Sequence, residues 1–308
     1  VNRRLRIAAA AMLAIAPTGG CMATEPSCFT NRANVILPDR NRVLANVSNG
    51  ASGRAIAEAL LDGRVEDAQA MLARDPRLID TVVTHDPRMP EPPTGQYGDL
   101  LTLAVSRCDH DAIAMLLAAG MPADGVRPGS ALSLAILADS PELAERLLQA
   151  GASPDPQAGK GGEDPMRAAI SFSHIGGVMT LLRHGADPRW ADPFGIDRVR
   201  LALDAEQADI AELLVEKGGT LWSVAEDGSM AAHELLAEPV IFTSAEMKAA
   251  RTRMLELARR SPIGWPPPDR STIKQMVVSG AWPTAAMARA GMNVAPATLE
   301  RMRQTRTH

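Results

Sequence analysis

Apolar positions along this chain fall at helical spacing, and the helices recur in one pattern. An Ala is followed sixteen residues later by a Gly, and two large apolar residues stand four and three positions before that Gly. The skeleton occurs at Ala104/Gly120, Ala135/Gly151, Ala169/Gly185 and Ala202/Gly218, with the pairs Leu116-Leu117, Leu147-Leu148, Leu181-Leu182 and Leu214-Val215. An atypical first copy has Ala59, Met71-Leu72 and then Asp75 where the others have Gly. In the best-formed copy Leu143, Leu147 and Leu148 mark one helix face, while Glu142, Glu145 and Arg146 mark a solvated one. Ser140-Pro141 is start-of-helix chemistry.

Each copy therefore predicts helix, polar turn, helix and a Gly-ended loop. The terminal glycines suit the left-handed residue that closes a helix. The tails Met121-Pro122-Ala123-Asp124, Ala152-Ser153-Pro154-Asp155 and Ala186-Asp187-Pro188-Arg189 read as turns. Steps between the last four Ala positions are 31, 34 and 33 residues, but the first step, Ala59 to Ala104, is 45. The excess lies in a Pro/Gly-rich insertion at 84–98, which cannot be helix. Such insertions map to one face, often the binding face; a tolerated surface loop is the equal alternative. Tyr97, the one tyrosine of the chain, is a candidate contact residue there.

Past Trp222 the period is lost. Helices are predicted near 230–236, 244–260, 271–278, 283–290 and 296–304, so 223–308 reads as a helical C-terminal cap of the array. Residues 22–50 read as a linker with a short lead-in segment.

The spacing near 33 and the tails Gly151-Ala152-Ser153-Pro154-Asp155 and His184-Gly185-Ala186-Asp187-Pro188 resemble ankyrin repeats. The LLxxGA half of that motif is well kept. Its TPLH half is degraded: the Leu appears as Leu101, Leu132, Met166 and Val199, the Pro survives as Pro165, and the His is replaced by Thr102, Ser133, Arg167 and Arg200. The resemblance implies an all-α ankyrin-repeat solenoid of about five helix-turn-helix units over 51–222. In that family the Thr and His bond within and between repeats, so these bonds must be altered or absent here. It also implies that hairpin tips and inner helices form a concave surface that binds a protein partner. The matching tip positions are Asp124, Arg127, Asp155, Gln157, Asp187, Arg189 and Trp190.

Arg3, Arg4 and Arg6 precede the apolar run Ile7 to Ala16, which fits a secretory signal peptide and is too short to span a bilayer. Pro17-Thr18-Gly19-Gly20-Cys21 resembles the lipobox of bacterial lipoproteins, with Thr18 where Leu is usual. That resemblance makes Cys21 a lipidation site and residues 1–21 the signal segment; cleavage near Ala23 is the rival. The expected location is the periplasm, with contact to a membrane only through a lipid anchor at Cys21. Cys28 and Cys108 are expected to remain free or weakly coupled, since spacing alone does not establish a pair.

Composition narrows the picture further. Hydrophobic residues make up 46% but aromatics only 3%, which favours an Ala/Leu-rich helical core over a β-sandwich. The formal net charge of −4 and the lack of a basic stripe after the N-terminus argue against nucleic acid. No catalytic signature is present: no G-x-S-x-G, H-E-x-x-H, phosphate loop or C-x-x-C. Gly159-Lys160-Gly161-Gly162 reads as an inter-repeat loop, His233-Glu234 lacks a second His, and Asp109-His110-Asp111 reads as helix capping. His174 and His184 fall at solvent-facing positions. The expectation is a non-enzymatic, monomeric protein-binding module of the cell envelope without cofactor or metal. Immunity-type inhibition of a toxic effector and an envelope scaffold are the alternatives.

Overall fold

The structure, a computed structural model, describes residues 40–83, 98–156, 162–237, 244–261, 263–289, 292 and 294–304. Among them are sixteen α-helices and no strand; isolated bridges join Val47 to Val83, Val82 to Asp99 and Ala191 to Asp197. The chain is all-helical, as its Ala/Leu-rich periodicity predicts. No helix of the described residues is long and apolar enough to cross a membrane.

A short helix α1 (Arg40–Ala45) leads into five helix hairpins. They are α2 (Gly50–Leu61) with α3 (Val65–Arg74), α4 (Leu100–Ser106) with α5 (His110–Ala118), and α6 (Ser130–Leu137) with α7 (Pro141–Gln149). Then come α8 (Pro165–Ser171) with α9 (Ile175–Arg183), and α10 (Arg198–Asp204) with α11 (Ala208–Glu216). The first helices pack in sequence, α2 on α4 on α6 on α8 on α10, and second helices also meet, α3 with α5 and α7 with α9. One hairpin cannot bury its own apolar face, so each uses its neighbours.

Local backbone chemistry explains the sequence skeleton. The Ala residues 59, 104, 135, 169 and 202 are fully buried, and each carbonyl accepts the corner N–H five residues on, at 2.8–3.0 Å, from Arg64, Asp109, Ser140, His174 and Gln207. Every corner turns on one left-handed residue: Gly63, Cys108, Asp139, Ser173 or Glu206. The second helices close in the same way. The first Leu of each pair (116, 147, 181, 214) is fully buried and accepts the N–H of the residue after the Gly at 2.8–3.0 Å, the six-to-one bond of a helix ended by a left-handed Gly.

Helix starts depart from expectation. Ser140 makes no side-chain cap, although Pro141 does occupy the first turn. Asp99, Asp109, Asp164 and Asp197 cap α4, α5, α8 and α10 through their carboxylates. Cys108 is a further departure: it is disulfide-bonded, against the expectation of a free or weakly coupled thiol. Cys21 and Cys28 lie outside the described residues.

Beyond α11, the short α12 (Ala231–Glu234) packs on α10, and α13 (Ala245–Arg259) packs on α11. These contacts repeat the geometry of the earlier pairs after the sequence period has gone. Next are α14 (Arg270–Ser279), α15 (Ala285–Arg289) and α16 (Pro296–Gln304), with α16 on α14. Trp222 and Trp282 are buried in this end of the molecule. Arg200 and Arg270 both lie within 3.3–3.7 Å of Asp227 and Glu234, a four-membered ionic link between α10, the 226–229 turn, α12 and α14.

Candidate interaction surface

Loops between hairpins are tied to one another by carboxylates. Asp99 is fully buried. Its Oδ1 accepts from the N–H and the hydroxyl of Thr102 at 2.9 and 3.0 Å. Its Oδ2 accepts from the N–H groups of Val126 and Arg127 in the following loop at 2.7 and 3.3 Å. Asp124 then accepts from the Ser153 amide at 2.6 Å, and Asp155 from the Asp187 amide at 2.8 Å. Two predicted tip residues, Asp124 and Asp155, thus spend their side chains on the next loop. Burial pushes the Asp99 carboxyl above its ordinary range and the Asp197 carboxyl up to about 6, opposed in both cases by the amides they accept from.

The 187–197 loop is the best-supported one. Arg198 is 1% exposed, lies 2.6 Å from Asp155 Oδ1 and 3.5 Å from Asp164 Oδ1, and donates to the Asp187 carbonyl at 2.7 Å. Its guanidinium sits 5.3 Å from the centroid of Trp190, which is half-buried. Asp187 accepts from the Arg189 amide at 2.8 Å, and Arg189 Nε donates to the Gly218 carbonyl at 2.5 Å. Asp192 accepts from the amides of Phe194 and Ile196 at 2.9 Å. This pinned loop carries Phe194 with 60% of its surface exposed, and the Arg301 guanidinium of α16 lies 5.4 Å from the ring centroid.

Of the predicted contact residues, Arg127, Asp187 and Arg189 are exposed, Trp190 is half-buried beside Arg198, and Asp124 and Asp155 are partly buried in the ladder. Tyr97 and Gln157 lie outside the described residues, as does Cys21. The inner helices do not contribute evenly. Every residue of α4 and α6 is buried, whereas α8 exposes Arg167 and Ser171 and α10 exposes Asp204. His174, expected to face solvent, is buried at the start of α9, because its N–H closes the corner onto Ala169. His184 is half-buried, with Nε2 2.9 Å from Glu145.

Sequence reading missed two surface features. Phe194 carries no motif and stands out only once the loop is seen to be fixed. The second is on α9, where Gly176 and Gly177 replace the side chains that other second helices carry. They open a crevice of about 450 Å³ between α7 and α9, lined among others by Ile136, Ala144 and Met179. Met179, which lines it, is exposed, and so are Phe172 and Ile175 of the same hairpin. The Gly-Gly pair in an otherwise regular helix was the available signal.

No group of three or more metal-ligating side chains occurs among the described residues. Comparison with models of known protein families and with curated proteins finds no match.

Proposed function

We propose that this chain is an ankyrin-like repeat array of the bacterial cell envelope that binds a protein partner. Support for the array comes from the hairpins that pack first helix on first helix, their shared corner and terminal geometry, and the loop-to-loop carboxylates. Support for export comes from the disulfide at Cys108, since structural disulfides belong to oxidising compartments. The signal-like N-terminus and the lipobox-like residues Pro17 to Cys21 agree with it.

The observation that carries the binding reading is Phe194, a large aromatic left 60% exposed on a loop whose backbone is pinned from both sides. An ordered aromatic offered to solvent loses little entropy on binding, and such residues dominate interface energetics. The surface centres on the fourth and fifth hairpins, with Asp187, Arg189 and Trp190 on the same loop as Phe194 and with Arg167 and Asp204 on the inner helices. Binding there is steric: the fixed surface occludes or positions the partner, and no covalent chemistry is involved.

A photo-crosslinking amino acid placed at 194, and in a second variant at the exposed position 66 of α3, tests this in envelope extract. The expected result is one discrete partner at 194, absent from the control at 66 and weakened by Arg189→Ala. Equal, diffuse crosslinking at both sites overturns the reading.

A further inference from the structure

The joint after α10 is built like the one at Asp99, with one part missing. Asp197 caps α10 as Asp99 caps α4. Both are buried, and each Oδ1 accepts the amide three residues on, at 2.8 Å from Arg200 and 2.9 Å from Thr102. At Asp99 the second oxygen receives the amides of Val126 and Arg127 from the following loop. At Asp197 the second oxygen, Oδ2, is buried too and has no hydrogen-bond partner among the described residues. What the following segment, 220–229, brings to this carboxyl is the hydroxyl of Ser223. A buried carboxylate oxygen without a donor is costly, whereas the neutral acid carries its own hydrogen. Burial accordingly pushes the group up to about 6.

The charges on the surrounding elements leave that cost standing. Arg200, on the same helix, favours the ionised form but is shared with Asp227 and Glu234, each at 3.7 Å. On α8, Arg167 lies 3.6 Å from Asp192, and at its cap Asp164 lies 3.5 Å from Arg198. On α12, both ring nitrogens of His233 are engaged, by the Met230 amide and the Pro268 carbonyl. Glu216 and Lys217, at the end of α11, are exposed.

The same carboxyl sits at the base of the Phe194 loop. Asp197 bridges to Ala191 across the neck of that loop. The far clamp is the turn that Ser223 leads into. There the Glu226 amide donates to the Phe194 carbonyl at 2.9 Å, and a Cβ added at Gly195 would stand 3.0 Å from Ala225 Cα.

We propose that Asp197 is an acid-closed latch on the partner surface: as the neutral acid it holds the 220–229 segment against the Phe194 loop, and as the carboxylate it releases that segment and unpins Phe194. The regulation rests on the reading of Phe194 as the contact residue. The neutral form favours the closed joint, so closure is complete below the ordinary Asp range and is lost as pH climbs through 6. Once open, the carboxyl is back in water, and opening at pH 7 exceeds opening at pH 4 on the order of 100-fold. A partner is therefore held more tightly in mildly acidic medium.

Hydrogen exchange of the full chain at pH 4, 5.5 and 7, corrected for intrinsic rates, follows the amides of Ala225, Glu226 and Gly228. Their protection is expected to fall on the order of 100-fold from pH 4 to pH 7, while the Ser140 corner amide keeps its own. Asp197→Asn keeps the capping oxygen, is neutral at every pH, and should hold its protection throughout. Ser223→Ala removes a hydroxyl that favours the ionised form and should move the fall to higher pH. Photo-crosslinking at 194 in envelope extract should capture more partner at pH 5 than at pH 7, and equal amounts in Asp197→Asn. Protection that stays level in the wild type, or falls alike in Asp197→Asn, overturns the latch whatever binds. A pH-dependent fall with no partner captured at 194 at either pH overturns the binding reading and leaves the latch standing. The same fall with pH-independent capture overturns the coupling between latch and partner surface.

Discussion

Replacing Arg198 by Met removes the cation that joins the fourth and fifth hairpins. Its partners are the Asp155 and Asp164 carboxylates and the Asp187 carbonyl, and its own side chain is 1% exposed. Deleting one member of a buried pair leaves the rest uncompensated and destabilises by about 3–5 kcal/mol. Two observations place this case at the low end. Asp155 retains 22% of its side-chain surface in water and keeps the Asp187 amide. The contact with Asp155 is also close without being aligned, since Asp155 Oδ1 and Arg198 Nε and Nη2 lack a hydrogen-bond partner among the described residues. The expected loss is therefore about 3 kcal/mol, of which the cation over Trp190 contributes about 1. Met fills most of the vacated volume, so packing loss stays small. In a stack where each hairpin touches only its neighbours the damage is local. Amides of α8 to α11 are expected to exchange on the order of 100-fold faster, while α2 to α5 hold their rates. A change of less than about fivefold (near 1 kcal/mol) in α8 to α11 would refute the idea that this guanidinium holds the seam.

Three further outcomes follow from the geometry. A side chain at Gly125, which has φ of 77°, would overlap Asp99 Oδ2, whereas one at Gly120, with φ of 95°, would meet nothing within 4 Å. Urea melts should show Gly120→Ala losing only the backbone strain of about 1–2 kcal/mol and Gly125→Ala losing clearly more; equal losses would exclude the contact. Asp197 has its folded pKa raised to about 6 by burial, so its neutral form favours the fold. That contribution is complete below the ordinary Asp range and lost as pH climbs through 6, about 3 kcal/mol in all; urea midpoints compared at pH 4 and pH 7 should show this slope in the wild type and not in Asp197→Asn. Bulk at the fully buried Ala135 or Ala169 overpacks the seams, and Leu at either should lower stability by about 1–3 kcal/mol in thermal melts; wild-type stability for both would contradict the close approach of the first helices.

What the sequence disclosed and what it hid divide along a physical line. Ala135, Leu147 and Gly151 were legible because each answers a local demand: a small side chain at a seam, a buried carbonyl to be capped, a left-handed stop. Their partners lie within one hairpin, so spacing alone reveals them. Asp99, Asp155 and Arg198 were not legible in role, since each acts on backbone or charge 27, 32 and 43 residues away, respectively. Asp124 and Asp155 read as exposed tips because turn composition says nothing of which amide lies opposite. The tail beyond Trp222 lost its period while α12 and α13 kept the packing, because contact with α10 and α11 needs an apolar face but not a fixed repeat length. Cys108 and His174 share a lesson: a corner residue faces solvent or not according to what is brought against it, and the corner motif leaves that open.

The carboxylate ladder gives the array a direction. In every rung the acceptor belongs to the earlier loop and the donor to the later one: Asp99 to Val126, Asp124 to Ser153, Asp155 to Asp187. A cut therefore leaves different wounds on its two sides. The upstream fragment keeps a carboxylate that has lost its amide, and the downstream fragment keeps an amide that water can satisfy. A segment copied whole from one loop Asp to the residue before the next loop's donor, such as 124–152, carries its own acceptor forward and its own donor back. Such a stack can lengthen or shorten by whole hairpins without redesigning a junction.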